Sequence, residues 1–404
     1  MSVLENEALP PGLRQSRRGG RTELSIAAAM MLTSLALAGM LFFAPFEAKA
    51  NESQGSGPED PILKWEETLP MRAKGYQTNQ GVGGRDGAAF PFRPMFGPSG
   101  VIYAGTTSVN ALLPSGSTKW ETLVFSEQEV ANGTWQRIRS AAAAPDGKVY
   151  VATTGSVRKL AAISPEGAKL WEKTMDVAAG PVINGDGNMF VVTQDSVLRE
   201  ISPAGSEVWT SPFGVRGVPA FAADGGMYVL ETGNKLYRIA PNKAANKIAD
   251  VAGVDSVVVG PDGTVYLYDS GGARLVALEP DGTVKWERNG YNTSWVLPAA
   301  DGTIYTGGSK LIALDNAGNL KWELSRPPLY KPTGTVIEDA LSFSYPAIGA
   351  DGTLFLAFNQ LTTEDNGAPW WHLIRYKYVV NGRILAVAKD GSVKWTFDSG
   401  YVSA

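Results

Sequence analysis

Short apolar runs bounded by turn residues recur along most of the chain. In the clearest copy, Asp262-Gly263 precedes the apolar run Val265-Tyr266-Leu267. Gly tolerates positive φ and Asp supports tight turns, so the pattern predicts a turn followed by a β-strand. A run of this kind fits a strand that is covered on both faces. The same step occurs at Asp146-Gly147, Asp186-Gly187, Asp224-Gly225, Asp262-Gly263, Asp301-Gly302 and Asp351-Gly352.

A second pattern follows each of these strands: an apolar strand, a turn, and a strand that ends near a tryptophan. In one copy the turn contains Pro280 and Gly282, and the tryptophan is Trp286. One copy has Ile248 where the tryptophan would stand. We predict that these large rings fill the space between neighbouring repeats. The tryptophans are Trp120, Trp171, Trp209, Trp286, Trp322 and Trp395.

The two patterns together repeat about every 40 residues, with Ser99-Gly100 as a degenerate first copy. A period of this size is typical of the four-stranded blades of a β-propeller. The sequence therefore predicts an all-β fold: a closed β-propeller of four-stranded antiparallel blades, with seven blades. Eight blades are the alternative, if 60–97 or 359–383 supplies another sheet.

The repeat resembles the pyrroloquinoline-quinone-like β-propeller repeat, whose blades carry an Asp-Gly-x-Val-Tyr strand and a Leu-x-Ala-Leu…Gly-x-x-x-Trp hairpin. The two copies most similar to that hairpin run from Leu275 to Trp286 and from Leu311 to Trp322. The resemblance covers roughly Trp65 to Phe397. It implies the propeller fold and says little about chemistry, because one fold hosts many functions.

For the dehydrogenases of this family, the resemblance implies a quinone that stacks on a tryptophan, is capped by a vicinal disulfide and lies beside calcium and an aspartate. This chain has no cysteine, and the Asp-Gly steps lack the dense acidic spacing of a calcium loop. We therefore expect no cofactor, pyrroloquinoline quinone included, and no metal site. The family's outer-membrane assembly lipoprotein is also a poor match, because it needs a lipidated cysteine.

The first 50 residues predict a secretory signal peptide. Residues 1–23 are polar with four arginines, 24–46 are almost wholly apolar, and Ala48-Lys49-Ala50 is a small-x-small cleavage site. An uncleaved membrane anchor is the alternative, because an apolar stretch of about 20 residues can span a bilayer. Residues 51–61 predict a flexible linker, and 62–404 a single β-propeller domain. The expected location is secreted or in the extracytoplasmic cell envelope.

Net charge and residue composition exclude several classes of function. The formal net charge is −4, so no overall basic field favours nucleic acid. Without cysteine, disulfides and thiol nucleophiles are impossible, and His372, as the only histidine, excludes a site with several histidine ligands. No catalytic residue is assigned.

Aligning the repeats on the Asp-Gly step identifies residues that enter the first strand of each blade, at the mouth of the central channel. Guanidinium groups beside aromatic planes suit an anionic or sugar-like ligand, or a loop of a protein partner. The alternative is that these positions are ordinary strand starts. The predicted ligand-binding rim consists of Arg93, Arg139, Arg216, Asp255, Trp295 and Tyr345.

These observations predict an exported, non-catalytic scaffold that binds a protein or polysaccharide of the cell envelope. The chain is expected to be a monomer that touches the membrane only through an uncleaved N-terminal segment. The alternative is a secreted enzyme that uses the propeller channel, such as a lyase, a hydrolase or a quinone-dependent oxidoreductase. That alternative requires an acid or base within roughly 3 Å of a partner group in a pocket.

Overall fold

The structure is a computed structural model, and it describes 95–105, 107–126, 128–129, 137–269, 274–291, 293–308, 310–325, 335–343, 345–349, 351–365 and 376–403. These residues contain 28 β-strands. The strands pair with their sequence neighbours in antiparallel sheets. They group into successive four-stranded units, which we number from the N-terminus.

Units 1 to 4 cover the first half of the array. Unit 1 also contains a short 3₁₀ turn at Pro98–Gly100. Units 3 and 4 share the long strand β12, whose first part pairs with β11 and whose second part pairs with β13. The strands are β1 (Met95–Phe96), β2 (Ile102–Ala104), β3 (Ser108–Leu112) and β4 (Thr118–Leu123) in unit 1; β5 (Arg137–Ala143), β6 (Val149–Thr154), β7 (Lys159–Ile163) and β8 (Lys169–Thr174) in unit 2; β9 (Val177–Ile183), β10 (Met189–Thr193), β11 (Val197–Ile201) and β12 (Glu207–Phe221) in unit 3; and β13 (Met227–Glu231), β14 (Lys235–Ile239) and β15 (Ala245–Asp250) in unit 4.

Units 5 to 7 complete the described array. In unit 7 the first strand position is divided, because β24 and β25 both pair with β26. The strands are β16 (Ser256–Val259), β17 (Val265–Tyr268), β18 (Arg274–Leu278) and β19 (Val284–Asn289) in unit 5; β20 (Trp295–Pro298), β21 (Ile304–Gly307), β22 (Lys310–Leu314) and β23 (Leu320–Ser325) in unit 6; and β24 (Thr335–Phe343), β25 (Ala347–Ile348), β26 (Leu354–Asp365), β27 (Tyr376–Val387) and β28 (Val393–Ser403) in unit 7.

The Asp-Gly steps form the turn before each second strand. Gly263 has φ +85° and its N–H donates to Gly260 O at 3.0 Å, while the Asp262 carboxylate accepts the N–H of Thr264 at 3.0 Å. A side chain other than Gly would be strained at this φ. The predicted turn role of these aspartates is therefore confirmed, and the equivalent carboxylate bonds are made by Asp146, Asp224, Asp301 and Asp351.

The core lies between successive units. Within β6, Val149 and Val151 pack toward unit 1, whereas Tyr150 and Ala152 pack toward unit 3. Alternate residues of a strand point to opposite faces, and each unit is covered on both faces. This arrangement explains why the strands are continuously apolar instead of alternating with polar residues.

The tryptophans of the last strands connect neighbouring units. Trp286 of unit 5 donates its Nε1–H to Asn316 O of unit 6 at 2.9 Å, and a Cβ on Gly318 would lie 2.6 Å from its ring. The predicted role of the tryptophans between neighbouring repeats is thus confirmed where both units are described. Equivalent bonds join Trp120 to Pro165 O, Trp171 to Pro203 O and Trp322 to Lys389 O.

The first strands of successive units also pack against one another, β5 against β9, β9 against β12, β12 against β16 and β16 against β20. The fold is therefore all-β and built as a propeller from four-stranded antiparallel sheets, with the first strands on the inside. Closure of the ring and the total number of blades stay predictions. So do the boundaries at 1–50, 51–61 and 62–404, because the signal peptide, the linker and the start of the domain lie outside the described residues.

Among the residues that the structure describes, no helix is long and apolar enough to cross a membrane.

Candidate binding rim

The predicted rim residues within the described part of the chain lie on or just before the first strands of different units. Arg139 lies on β5 of unit 2 and Arg216 on the part of β12 that begins unit 4. Asp255 immediately precedes β16 of unit 5. Trp295 and Tyr345 lie at the entries to the first strands of units 6 and 7. Arg93 lies outside the described residues.

Trp295 and Tyr345 pack between units 6 and 7. Trp295 is only 3% exposed, and its ring lies 5.6 Å from that of Tyr345 and directly against Gly307. The Tyr345 hydroxyl donates to Val296 O at 3.0 Å. Both rings therefore contribute to the core, and a role for either in ligand binding stays a prediction.

Asp255 is on the surface at the start of unit 5. Its N–H donates to Tyr268 O at 3.1 Å, which ties the residue to the neighbouring strand, and its carboxylate accepts the Ser256 hydroxyl at 2.8 Å. A Cβ placed on Gly217 would lie 3.4 Å from Asp255 O, so unit 4 approaches Asp255 at the residue after Arg216. This position therefore adds a negative charge next to the strand that carries Arg216.

Arg139 is exposed because the sheet is irregular at this residue. Ile138 pairs with Thr153 and Ser140 pairs with Ala152, so Arg139 is the extra residue of a β-bulge. Ile138 is fully buried, and the bulge turns the next side chain away from that core. Bulges of this kind commonly redirect a side chain at a functional site.

Arg216 enters the interior between units 4 and 5. It pairs with Leu230, whose side chain packs with Val254 and Val257 of unit 5. Directly opposite residues in antiparallel strands lie on the same face of the sheet. The Nε and Nη2 atoms of Arg216 are buried and have no hydrogen-bond partner in the described part of the chain.

The two arginines differ from the other cations in the described part of the chain. Every lysine and every other arginine with a described side chain has a polar, ionic or ring partner. Arg139 and Arg216 have no such partner among the residues that the structure describes. We call Arg139, Arg216 and the first strands of units 2, 3 and 4 the arginine rim.

The backbone of the arginine rim is irregular in all three units. Register shifts occur at Arg139 in β5, between Arg216 and Ala220 in β12, and along β9. The corresponding strands β16 and β20 pair without a shift. Between the arginines, β9 contributes the small residues Ala178 and Ala179, which are both partly exposed, and Ala179 packs against the core between units 3 and 4.

A second concave feature lies between units 1 and 2, where sequence reasoning predicted no site. It is a groove of about 640 Å³ lined by residues that include Phe125, Glu129, Lys169 and Glu172. Beneath it Lys159, only 4% exposed, forms ion pairs with Glu129 at 3.0 Å and Glu172 at 3.4 Å. The one feature of the sequence that could have indicated this groove is Lys159, a lysine at the start of an otherwise apolar strand.

The charges of this groove neutralise one another. Burial raises the pKa of Glu129, but hydrogen bonds from Ser126 and Lys159 outweigh it and hold that pKa below its usual value. The hydrogen bond from Lys169 lowers the pKa of Glu172. Both glutamates are thus stabilised as carboxylates by lysines, and the cluster acts as a structural ion-pair network.

The expectation of no metal or cofactor stays a prediction. Within the described residues, no three His, Cys, Asp or Glu side chains come together as metal ligands would. His372 lies outside the described residues.

Comparison with protein families shows which family the chain belongs to. A family model described as the outer membrane protein assembly factor BamB matches residues 105–247 and 201–397. Because these matches cover most of the chain, the protein belongs to this family of pyrroloquinoline-quinone-like propeller repeats. The resemblance predicted from the sequence is confirmed. No curated protein matches the sequence.

Solved structures agree on the fold. A streptogramin B lyase is 13% identical with a TM-score of 0.50, covering 66% of this chain and 90% of its own. The C-terminal WD40 domain of Sif2 is 10% identical with a TM-score of 0.51, covering 65% and 78%. BamB from Moraxella catarrhalis is 15% identical with a TM-score of 0.47, covering 67% and 80%. The first two matches, with TM-scores of 0.50 and 0.51, indicate a shared architecture, and identities this low say nothing about activity.

Proposed function

We propose that the protein is an exported, non-catalytic β-propeller scaffold that binds a protein partner in the cell envelope through the arginine rim. The observation that carries this proposal is that Arg139 and Arg216 are unpaired on irregular first strands, while the other described lysines and arginines are paired. The family description, which names an assembly factor, supports a protein as the partner. The proposal includes a closed ring of seven blades, with eight as the alternative.

Export is the second part of the proposal. The polar, arginine-containing start, the apolar stretch and Ala48-Lys49-Ala50 support a signal peptide that is removed after Ala50. Cell fractionation followed by mass determination of the purified chain tests it. A chain that begins at Asn51 outside the cytoplasm is expected. An intact chain in the membrane pellet would favour the anchor, and a cytoplasmic chain would overturn export.

Partner binding can be tested by photo-crosslinking in intact cells. A photoreactive residue replaces Val218, which lies two residues after Arg216 and is 39% exposed. The matched control replaces Val284, which is 58% exposed on the outer strand β19 of unit 5. We expect one defined protein adduct from position 218 and none from position 284. No adduct from 218, or the same adducts from both positions, would refute binding at the rim.

The alternative is a secreted enzyme, and it would need an acid or base beside a second polar group. Among the predicted rim residues, Asp255 has such a neighbour in Ser256, but Asp255 is exposed to solvent. A general acid or base works best where burial and neighbours adjust its pKa. An exposed carboxylate therefore favours a binding role over catalysis.

A further inference from the structure

We infer that the arginine rim binds an extended acidic segment of the partner protein, whose carboxylates pair with Arg139 and Arg216. This inference rests on the proposed function and specifies the chemistry of the partner. It begins with Arg216, whose Nε and Nη2 atoms are buried without any acceptor. A guanidinium group carries five N–H donors and stays protonated in proteins. Arg216 is only partly buried, and burying part of a guanidinium group without a partner is costly, so an anion that reaches the group would offset that cost.

The fork-like geometry of a guanidinium group favours a carboxylate. Arginine and carboxylate form two parallel hydrogen bonds, which are stronger than bonds between neutral groups. Arg139, exposed on the bulge of unit 2, offers a second such group. A ligand with at least two carboxylates would satisfy both arginines.

The path between the arginines indicates an extended chain. Arg139 and Arg216 belong to units 2 and 4, and the first strand of unit 3 lies between them. Even hydrogen-bonded strands are about 4.8 Å apart, so the two strands that carry the arginines are separated by roughly 10 Å or more. The intervening Ala178 and Ala179 are partly exposed and place no large side chain between the two arginines. The bulges also leave backbone groups unpaired, which an extended peptide can use.

Neighbouring charge limits where an acidic segment can lie. Asp255 has an exposed side chain at the start of unit 5, and its backbone oxygen lies next to Gly217. Repulsion between like charges disfavours an acidic ligand that continues over unit 5. The segment is therefore expected to run across units 2 and 3 and to end at Arg216, between units 4 and 5.

The test measures fluorescence anisotropy of a labelled peptide of alternating Glu and Gly, titrated with the purified full chain. The matched probe has Gln in place of each Glu. We expect saturable binding of the Glu peptide that weakens at high salt, and none of the Gln peptide. Arg139→Gln together with Arg216→Met is expected to weaken binding by about tenfold or more. The control Arg158→Gln removes an exposed arginine of unit 2 that is paired with Asp176, and it should leave binding unchanged.

Stability provides a second measurement on the same variants. Arg216→Met keeps the aliphatic stem and removes a buried, unpaired charge, so thermal unfolding should occur at the same temperature as in the wild type or higher. A marked fall would mean that Arg216 is paired in solution, and it would overturn the inference. The single variant Arg139→Gln, at an exposed position, still tests binding if Arg216→Met fails to fold.

Other occupants give different results. Sedimentation that shows a wild-type dimer, lost in the double variant, would identify a second copy as the occupant and overturn the inference. Equal binding of the Glu and Gln peptides, or unchanged binding by the double variant, would also overturn it. A crosslink from position 218 without Glu-peptide binding would retain the proposed function and reject only the acidic ligand. Glu-peptide binding without that crosslink would retain the acidic ligand and reject the proposed binding of a protein partner in cells.

Discussion

Units 5 and 6 follow the repeat closely, and unit 4 departs from it. In units 5 and 6 a lysine next to the tryptophan of the last strand reaches back to the Asp-Gly-Thr turn: Lys285 Nζ donates to Thr264 Oγ1 at 2.9 Å and Lys321 Nζ to Thr303 Oγ1 at 2.8 Å. The turn and the outer strand of each unit are thus joined by the same bond. The sequence of each unit supplies both residues of this bond.

Unit 4 keeps the same architecture with different contacts. Lys243 stands where other units have the turn glycine, and it adopts φ +70°. The ring of Trp209 from unit 3 therefore meets the Lys243 ammonium at 5.3 Å, and that ammonium forms an ion pair with the buried Glu200. On the other side, Ile248 replaces the tryptophan and packs directly on Gly282 of unit 5.

The difference extends to the inside of the array. The first strands of units 2 to 4 carry register shifts and the two unpaired arginines, whereas β16 and β20 are regular. The comparison teaches that the interfaces between units can be held by several kinds of contact. The irregular first strands do not depend on this substitution, because unit 2 carries Arg139 although both of its interfaces keep the regular tryptophan contacts.

The largest expected effect is loss of a tryptophan in the regular region. Trp286→Ala should lower the free energy of unfolding by about 3–5 kcal/mol, as for other large aromatic core deletions. Its ring fills the space over Gly318, and its Nε1–H donates to Asn316 O. Denaturant unfolding measures the loss, with Val284→Ala on the same strand as an exposed control. A loss below about 1 kcal/mol would contradict the role between units.

The substituted interface should depend on charge. Lys243→Met should cost about 3 kcal/mol, because Glu200, 4% exposed, would lose its cationic partner and keep only the bond from Asn188 Nδ2 at 2.8 Å. Chemical denaturation compares it with Lys235→Met, whose ion pair with Glu231 is long at 3.9 Å. Equal losses in the two variants would show that the interface does not use the ion pair.

A buried tyrosine of unit 5 should make stability fall at alkaline pH. Burial raises the pKa of Tyr266 to about 12, while an unfolded tyrosine ionises near pH 10. The unfolded state therefore loses its proton first, and stability present below about pH 10 declines toward pH 12. Tyr266→Phe should reduce that decline, by about 3 kcal/mol at most.

Unit 3 has Phe190 at the position of Tyr266 and serves as the natural comparison. Urea unfolding of the wild type and the Tyr266→Phe variant at pH 8 and near pH 11 measures the effect. Identical pH dependence in the two proteins would mean that the Tyr266 hydroxyl is hydrated in the folded state.

The smallest effect concerns the lysines that join the outer strand to the turn. Lys285→Met should cost about 1 kcal/mol, the usual contribution of one hydrogen bond. Unit 2 has Leu170 beside its tryptophan, 47% exposed, so Leu170→Met should change stability by less than about 0.5 kcal/mol. Thermal unfolding measures both variants. A similar shift in unfolding temperature for Lys285→Met and Leu170→Met would mean that the lysine bond does not distinguish unit 5 from unit 2.

Much of the fold could be predicted because its signals are local. The Asp262-Gly263 turn needs positive φ, the Val265-Tyr266-Leu267 run needs cover on both faces, and the spacing to Trp286 sets the size of one unit. The prediction that Ile248 takes the tryptophan position is confirmed by its packing on Gly282. These relations repeat within a few tens of residues and need no knowledge of distant contacts.

The site was only partly accessible from the sequence, because burial and pairing depend on distant residues. Alignment of the repeats identified Arg139 and Arg216, but it could not tell them from Trp295, which occupies an equivalent position and is buried against Gly307. A bulge turns Arg139 outward, and the register of β12 turns Arg216 toward unit 5. The groove above Lys159 arises from Glu129 and Glu172, which reach it from other segments.

The sequence by itself determined the repeating unit, its turns and the residues that join one unit to the next, because those features follow from backbone conformation and short-range packing. The tertiary structure decided which cations find partners. An ion pair depends on where separate strands bring their side chains, and no local sequence pattern shows that Arg139 and Arg216 have no acceptor among the described residues.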